Sequence, residues 1–221
     1  MITIAHISDT HADHYILEQV KFIPADIIVI TGDILGNSGR VRGRIHAELE
    51  IPYQEAWLSV FAERWAKAIG SRPVVMVCGN HDFISPSPVL SSLGVEIHEL
   101  TAENPYADVL GIRFAGFREV PWLDGEWAGE ETNLNPYIER ALSCNPDVLV
   151  THTPPAGILD GRGYGSALLT SYLTYAQHKV KAHFFGHIHE DGGKTKTQMG
   201  IQFINGSGNC LSHTLDLEEK A

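Results

Sequence analysis

No uninterrupted apolar run in this 221-residue chain approaches the ~20 residues that a membrane helix needs, so no membrane-spanning segment is expected. Basic residues are scarce. Sixteen Lys and Arg stand against 27 Asp and Glu, a formal net charge of −11, which argues against long nucleic acid or an anionic membrane as partner and leaves room only for a local basic patch. Cysteine is nearly absent: Cys78, Cys144 and Cys210 are far apart, odd in number and form no C-x-x-C. That pattern suggests neither a disulfide framework nor a thiolate zinc site, and it fits a reducing compartment. The first residues, Met1 to Ile7, lack the basic stretch and small-residue cleavage site of a secretory signal, so the expected location is the cytoplasm. Repeats, low-complexity stretches and linkers are also missing, and one domain over residues 1–221 is expected. What the chain does have is ordinary globular composition, 43% hydrophobic and 19% charged, and an unusual supply of histidine, 12 residues.

Taken in order, apolar runs at Ile2 to Ser8, Asp26 to Thr31, Pro73 to Cys78, Asp147 to Val150 and Lys181 to Phe185 read as strands, several of them of the kind covered on both faces. Gly94 to His98 and Gly111 to Gly116 read as two more, and Lys194 to Leu217 as two or three antiparallel strands. Between them, Tyr15 to Phe22 is a short helix or loop. Tyr53 to Ile69 is an amphipathic helix with Trp57, Phe61, Trp65 and Ala68 as its core stripe, and Pro86 to Leu93, Leu134 to Ser143 and Ser166 to His178 are further helices. Gly36 to Ile51, Arg118 to Asn133 and Pro154 to Gly165 read as loops. Strands alternating with helices favour an α/β fold with a mixed sheet.

The chemistry lies where the strands stop. Five of them run into Asp9-Thr10-His11, Gly32-Asp33, Gly79-Asn80-His81-Asp82, Thr151-His152 and Gly186-His187-Ile188-His189. In α/β sheets, ligands bind outside the carboxyl ends of the strands. Brought together, these ends would collect two carboxylates, an amide oxygen and four imidazoles in one crevice, with His81 beside them. Such a donor set suits Mn, Fe, Zn, Co or Ni better than Ca, and the missing thiolates argue against soft-metal selection.

The blocks D-x-H, G-D, G-N-H-D, a lone H and G-H-x-H, present in that order from Asp9 to His189, resemble the calcineurin-like metallophosphoesterases. The stretches Thr151-His152-Thr153-Pro154-Pro155 and Gly186 to Glu190 resemble a compact group within that family associated with cyclic-nucleotide phosphodiesterase activity. The resemblance implies a four-layer α-β-β-α sandwich, two mixed sheets flanked by helices, with two divalent metal ions at the strand ends. Carried over by motif, Asp9, His11 and His189 would hold the first metal, Asn80, His152 and His187 the second, and Asp33 would bridge them. Manganese is the expected activator in vitro. A paired site of this kind activates a bridging water for in-line attack at phosphorus and neutralises the charge that develops there. The family gives His81 the protonation of the leaving oxygen. Asp82 reads either as the carboxylate that fixes the His81 tautomer or as a loop cap. The implied substrate is a small phosphate ester, foremost a phosphodiester such as a cyclic nucleotide. A phosphomonoesterase, a nuclease and a non-catalytic scaffold are the rival readings.

Other residues stay with two readings each. His6 and His183, inside strands, are packed histidines or supports for the site. His14 and His98 line the cleft or face solvent, whereas His46, His178 and His213 read as surface or packing residues. Arg40, Arg42 and Arg44 hold a second phosphate or form a solvated loop. Trp122 and Trp127 stack on a base or cover the core. Asn205 to Asn209 reads as a turn near the site.

Overall fold

The computed structural model describes residues 1–39, 45–121 and 126–216. Strands β1 (Ile2–Ser8), β2 (Ile27–Thr31), β3 (Val74–Val77) and β4 (Ile97–Glu99) run parallel, and β13 (Asn209–Leu215) joins β1 antiparallel, giving the order β13-β1-β2-β3-β4. A second sheet holds β5 (Tyr106–Val109), β6 (Ile112–Phe117), β9 (Val148–Thr151), β10 (Ala182–Phe185), β11 (Thr195–Gln198) and β12 (Ile201–Asn205) in the order β11-β12-β10-β9-β6-β5. The inner four of that sheet are parallel, and its two edge strands are antiparallel. Two short strands, β7 (Val120–Pro121) and β8 (Ala128–Gly129), pair in the segment that follows β6.

Side chains alternate across a strand, so an unbroken apolar run feeds two layers at once. Ile4, Ile27, Val29, Val75 and Val77 meet Phe114, Val148, Val150, Phe184 and Ile204 between the sheets. The neighbouring positions Ala5, Ile7, Ile28, Ile30, Val74 and Met76 face outward. They are covered by α1 (His14–Gln19), α2 (Ala47–Ile69) and α3 (Ser87–Ser92) through Leu17, Trp65, Ala68, Ile69 and Leu90. Beyond the second sheet, α4 (Asn135–Ser143) and α5 (Ala167–Tyr175) cover Ala115, Phe117, Leu149, Phe185 and Phe203 with Ile138, Ala141, Leu169 and Leu173. The result is the expected α-β-β-α sandwich. Each of those fully buried Val, Leu, Ile and Phe side chains contributes about 1.5–3 kcal/mol.

Several boundaries differ from the sequence reading. Helix α2 begins at Ala47, inside the expected loop, and continues through Pro52. Its first turns are held from outside, by hydrogen bonds of Glu50 and Gln54 to neighbouring loops, and such tertiary contacts override a local breaker. Of the expected stripe, α2 buries Trp65 and Ala68, together with Glu50, Gln54, Leu58, Ala62 and Ile69, while Trp57 and Phe61 lie at its margin. Gly94 starts no strand. It caps α3 at φ 86°, with Gly94 N–H on Ser91 O and Val95 N–H on Leu90 O, a Schellman arrangement, and β4 starts three residues later. Strand β5 went unrecognised because its hairpin to β6 turns on Leu110-Gly111, both at positive φ, without the Asn or Asp that usually marks such a turn. Among the described residues the C-terminal strands number three, and of these β11 and β12 form a hairpin. β12 lies parallel to β10, and the chain then crosses to the other sheet to add β13.

Candidate metal centre

The carboxyl ends of β1, β2, β3, β9 and β10 meet at one edge of the sandwich, three from the first sheet and two from the second. The loops cross-tie there through backbone bonds, Asp9 N–H to Gly32 O at 2.9 Å, His11 N–H to Asp33 O at 3.0 Å and Gly186 N–H to His152 O at 3.1 Å. Close approach explains the motif glycines. A Cβ at Gly79 would overlap Asp33 Oδ1 and lie 2.6 Å from His152 Cε1, and one at Gly186 would overlap Ser8 Oγ and Asp9 Oδ2. Asp9, His11, Asp33 and His187 all have positive φ, between 45° and 72°, a conformation non-glycine residues adopt at a cost.

Two groups of side-chain donors result, each with its atoms within 4.8 Å of one another: Asp9, His11 and His189, and Asp33, His152 and His187. The two imidazoles of the His-x-His pair therefore part, one to each group. Asn80 Oδ1 lies 3.2 Å from His152 Nε2, which places it with the second. His152 is completely buried. Its Nδ1–H donates to Thr31 O at 2.6 Å, which turns Nε2 toward Asp33 Oδ2 at 3.2 Å. A backbone acceptor on the far nitrogen is how ligating histidines are oriented. Asp9 is held by Ser8 Oγ–H at 2.5 Å and His187 N–H at 2.8 Å, both on Oδ2. Asp9 Oδ1 is buried without a hydrogen bond, with His189 Nε2 3.4 Å away. An orphaned buried carboxylate oxygen facing imidazole nitrogens is what a cation would satisfy, and the donors fit a pair of divalent ions.

Carboxylates and imidazoles shift one another across the site. Burial opposes protonation of His152, but Asp33 overcomes it and raises His152 to about 10. Asp33 is correspondingly held below the usual carboxylate range, against the effect of its own burial. Asp9 is also lowered against burial, by His189, and that contact raises His189 in turn. His187 goes the other way, down to about 4, through burial and the neighbouring charge of His152.

Family comparison gives this geometry its context. A family model described as calcineurin-like phosphoesterase matches residues 2–191. The chain belongs to the calcineurin-like phosphoesterases. This phosphoesterase chain is 25% identical, over 89% of its length, to the UPF0046 protein T07D4.2 of Caenorhabditis elegans, and it spans 53% of that relative. Among solved structures it resembles the calcineurin-like phosphoesterase YfkN of Bacillus subtilis at a TM-score of 0.51 and 15% identity, over 92% of this chain and 80% of that one. It resembles GAP50, the anchor in the inner membrane complex of Plasmodium, at the same TM-score and identity, over 93% and 71%. These two likenesses concern the fold alone.

The remaining expected residues sort by contact. His81 is half-buried at the mouth of the calcineurin-like site, its ring edge-on to His11 with centroids 4.9 Å apart, and its backbone N–H donates to Asp33 Oδ1 at 2.7 Å. Asp82 does not meet the His81 ring. Its buried carboxylate accepts N–H bonds from Asp33 and Leu35 at 2.8 Å and Gly79 at 2.9 Å, which is the loop-cap reading. Burial and the charge of Asp33 push Asp82 up to about 7, against those donors. At His81 Nδ1 stands Asn37 Oδ1 instead. His6 and His183 are fully buried, each bonded at 2.8 Å to a threonine that ends the neighbouring strand, Thr31 and Thr151. His14 stacks on Phe61, His98 pairs with Glu96, His46 precedes α2, His178 bonds Leu173 O, and His213 packs near His6 and Phe184. Trp127 covers the core behind the Asn80 loop. Its Nε1–H donates to Asp82 O at 3.2 Å, and the Arg118 guanidinium lies over its ring. Asn205 ends β12 and ties two loops beside the site, donating to Leu159 O and Ile188 O at 3.0 Å. Arg40, Arg42, Arg44 and Trp122 lie outside the described residues. Sequence reasoning missed Asn37, Glu50, Gln54 and the Thr31 carbonyl. Glu50 and Gln54, polar and four apart on a helix, gave no sign of being buried.

Proposed function

We propose that this chain is a dinuclear phosphohydrolase that cleaves small phosphodiesters, cyclic nucleotides being the first class to examine. The observation that carries the reading is the pair of donor groups at the meeting of five strand ends, one buried and one open to solvent. Asp9, His11 and His189 would hold one cation, Asn80, His152 and His187 the other, with Asp33 between them. Bound there, two divalent cations supply Lewis-acid charge and a water acidic enough to attack phosphorus in line. The chain's own part is positioning. Strand ends fixed by cross-tied backbones hold the donors without reorganisation, and buried Asp33 and Asp9 keep the negative charge that attracts cations. His81, at the mouth, donates a proton to the leaving oxygen. A small diester is favoured over a long polyanion by the net charge of −11.

The test is a manganese-loaded panel of cyclic nucleotides, mononucleotides, phosphopeptides and single-stranded DNA. The expected result is turnover of cyclic nucleotides, abolished in Asp33→Ala. Turnover confined to mononucleotides or phosphopeptides would replace the diesterase reading by a monoesterase one.

A further inference from the structure

A cavity of about 280 Å³ opens beside the segment that follows β6, and none of its lining residues belongs to either metal-donor group. The end of β6 leads into one wall, at Arg118, Glu119 and Val120. Trp127, β8 and Glu130 supply another, and the turn into α4 adds Asn133, Leu134 and Tyr137. The segment is tied to the Asn80 loop from outside, by Glu126 N–H on Asn80 O at 3.0 Å and Trp127 Nε1–H on Asp82 O at 3.2 Å.

The walls are largely apolar, with unbalanced charge set into them. Val120 and Leu134 are buried and Tyr137 is half-buried, so a small molecule would meet aliphatic and aromatic surface. Glu103, Glu119 and Glu130 line the cavity against one cation, Arg118. That cation is already engaged: its guanidinium carbon lies 3.3 Å from the centre of the Trp127 ring, and Nη1 is 3.6 Å from Glu99 Oε1. Glu103, at the exposed rim, is answered in part by Arg118 and Arg140. Glu119 and Glu130 make no ion pair with a described residue, and Glu119 Oε2 is buried without a hydrogen bond. Burial pushes the Glu119 carboxyl above its ordinary range, an effect that a cation beside it would oppose.

These features choose the ligand class. An anion would meet two unanswered carboxylates. A divalent metal ion needs its oxygens gathered round one point, and these three carboxylates do not converge as the donors at the strand ends do. An organic cation needs neither convergence nor an all-polar shell.

We propose that this cavity binds a small organic cation, a primary amine on a short apolar body, with the ammonium taken by Glu119 and Glu130. The body then lies against Val120, Leu134 and Tyr137. The assignment does not depend on which ester the metal centre hydrolyses.

The test is calorimetry of the full chain with three molecules of one shape: phenethylamine, 2-phenylethanol and 3-phenylpropanoate. The amine should bind at least about tenfold more tightly than the alcohol, and the carboxylate should not bind. Glu119→Gln should weaken the amine by about tenfold or more, and Glu130→Gln, at the rim, by about two- to fivefold. Ala128→Trp, which fills the cavity, should abolish binding. His189→Ala, in the open metal-donor group, should leave the affinity unchanged, which separates this cavity from the negatively charged strand ends. Thermal unfolding would show that each variant is folded. Equal affinity for all three molecules, no binding of the amine at millimolar concentration, or an affinity lowered by His189→Ala and untouched by Glu119→Gln would overturn the proposal.

Discussion

Gly79 and Asp82 show how little freedom single residues have at this edge. Ala at 79 would place a methyl group on Asp33 Oδ1 and against His152, so Gly79→Ala should lower kcat by at least about 100-fold and destabilise the fold by about 1–3 kcal/mol. Thermal unfolding and steady-state rates on one preparation would check both. Asp82 belongs to a different class. Its carboxylate satisfies three backbone N–H groups of two loops, and Asp82→Ala would leave them buried and unpaired. The expected outcome is a loss of about 3 kcal/mol or more in denaturant unfolding, with the shape of the pH–rate profile unchanged. A shifted profile without lost stability would restore Asp82 as a partner of the His81 ring.

At the scale of elements, the strands that carry the site also carry its acid sensitivity. Burial pushes His183 in β10 down to about 3 and holds His6 in β1 well below its ordinary value. Both stay neutral in the fold and gain a proton on unfolding at pH below 6.5, so the unfolded chain binds more protons there. Their stabilising effect is complete above pH 6.5 and is lost as pH falls toward the folded values, by up to about 1.4 kcal/mol per pH unit for each. Melting the metal-free protein from pH 7 to 4 should therefore show a smaller slope for His183→Gln than for the wild type; equal slopes would exclude the contribution. These strands were readable because covering both faces of a sheet demands an unbroken apolar run, and a ligand at each run's end breaks it visibly. Elements defined by backbone geometry left no such mark. The Leu110-Gly111 turn lacks its usual residues, Gly94 caps a helix where it read as the start of a strand, and α2 passes through Pro52 because distant loops hold it. The site divides the same way. Its donors stand at the ends of apolar runs, whereas Asn37, Glu50 and Gln54 matter through contacts across 44 or fewer positions, which no local pattern records.

On the scale of the whole molecule, two sheets converge to put buried negative charge where cations are expected, and the carboxylates raise His152 and His189 beside them. Because His152 is raised to about 10, it is protonated at pH 7 and must release that proton to become a ligand. Metal affinity should therefore rise with pH, and calorimetry in buffers of different ionisation enthalpy should show at least one proton released as the site fills. The most direct measurement combines manganese stoichiometry with hydrolysis of bis-p-nitrophenyl phosphate in the wild type, Asp33→Ala and His187→Ala. The wild type should hold two ions per chain and turn the ester over. His187→Ala should keep the ion of the Asp9 group, lose the other and lose turnover, and Asp33→Ala should be inactive. Full turnover in either variant, or a wild type that binds no manganese, would contradict a catalytic metal pair at these strand ends.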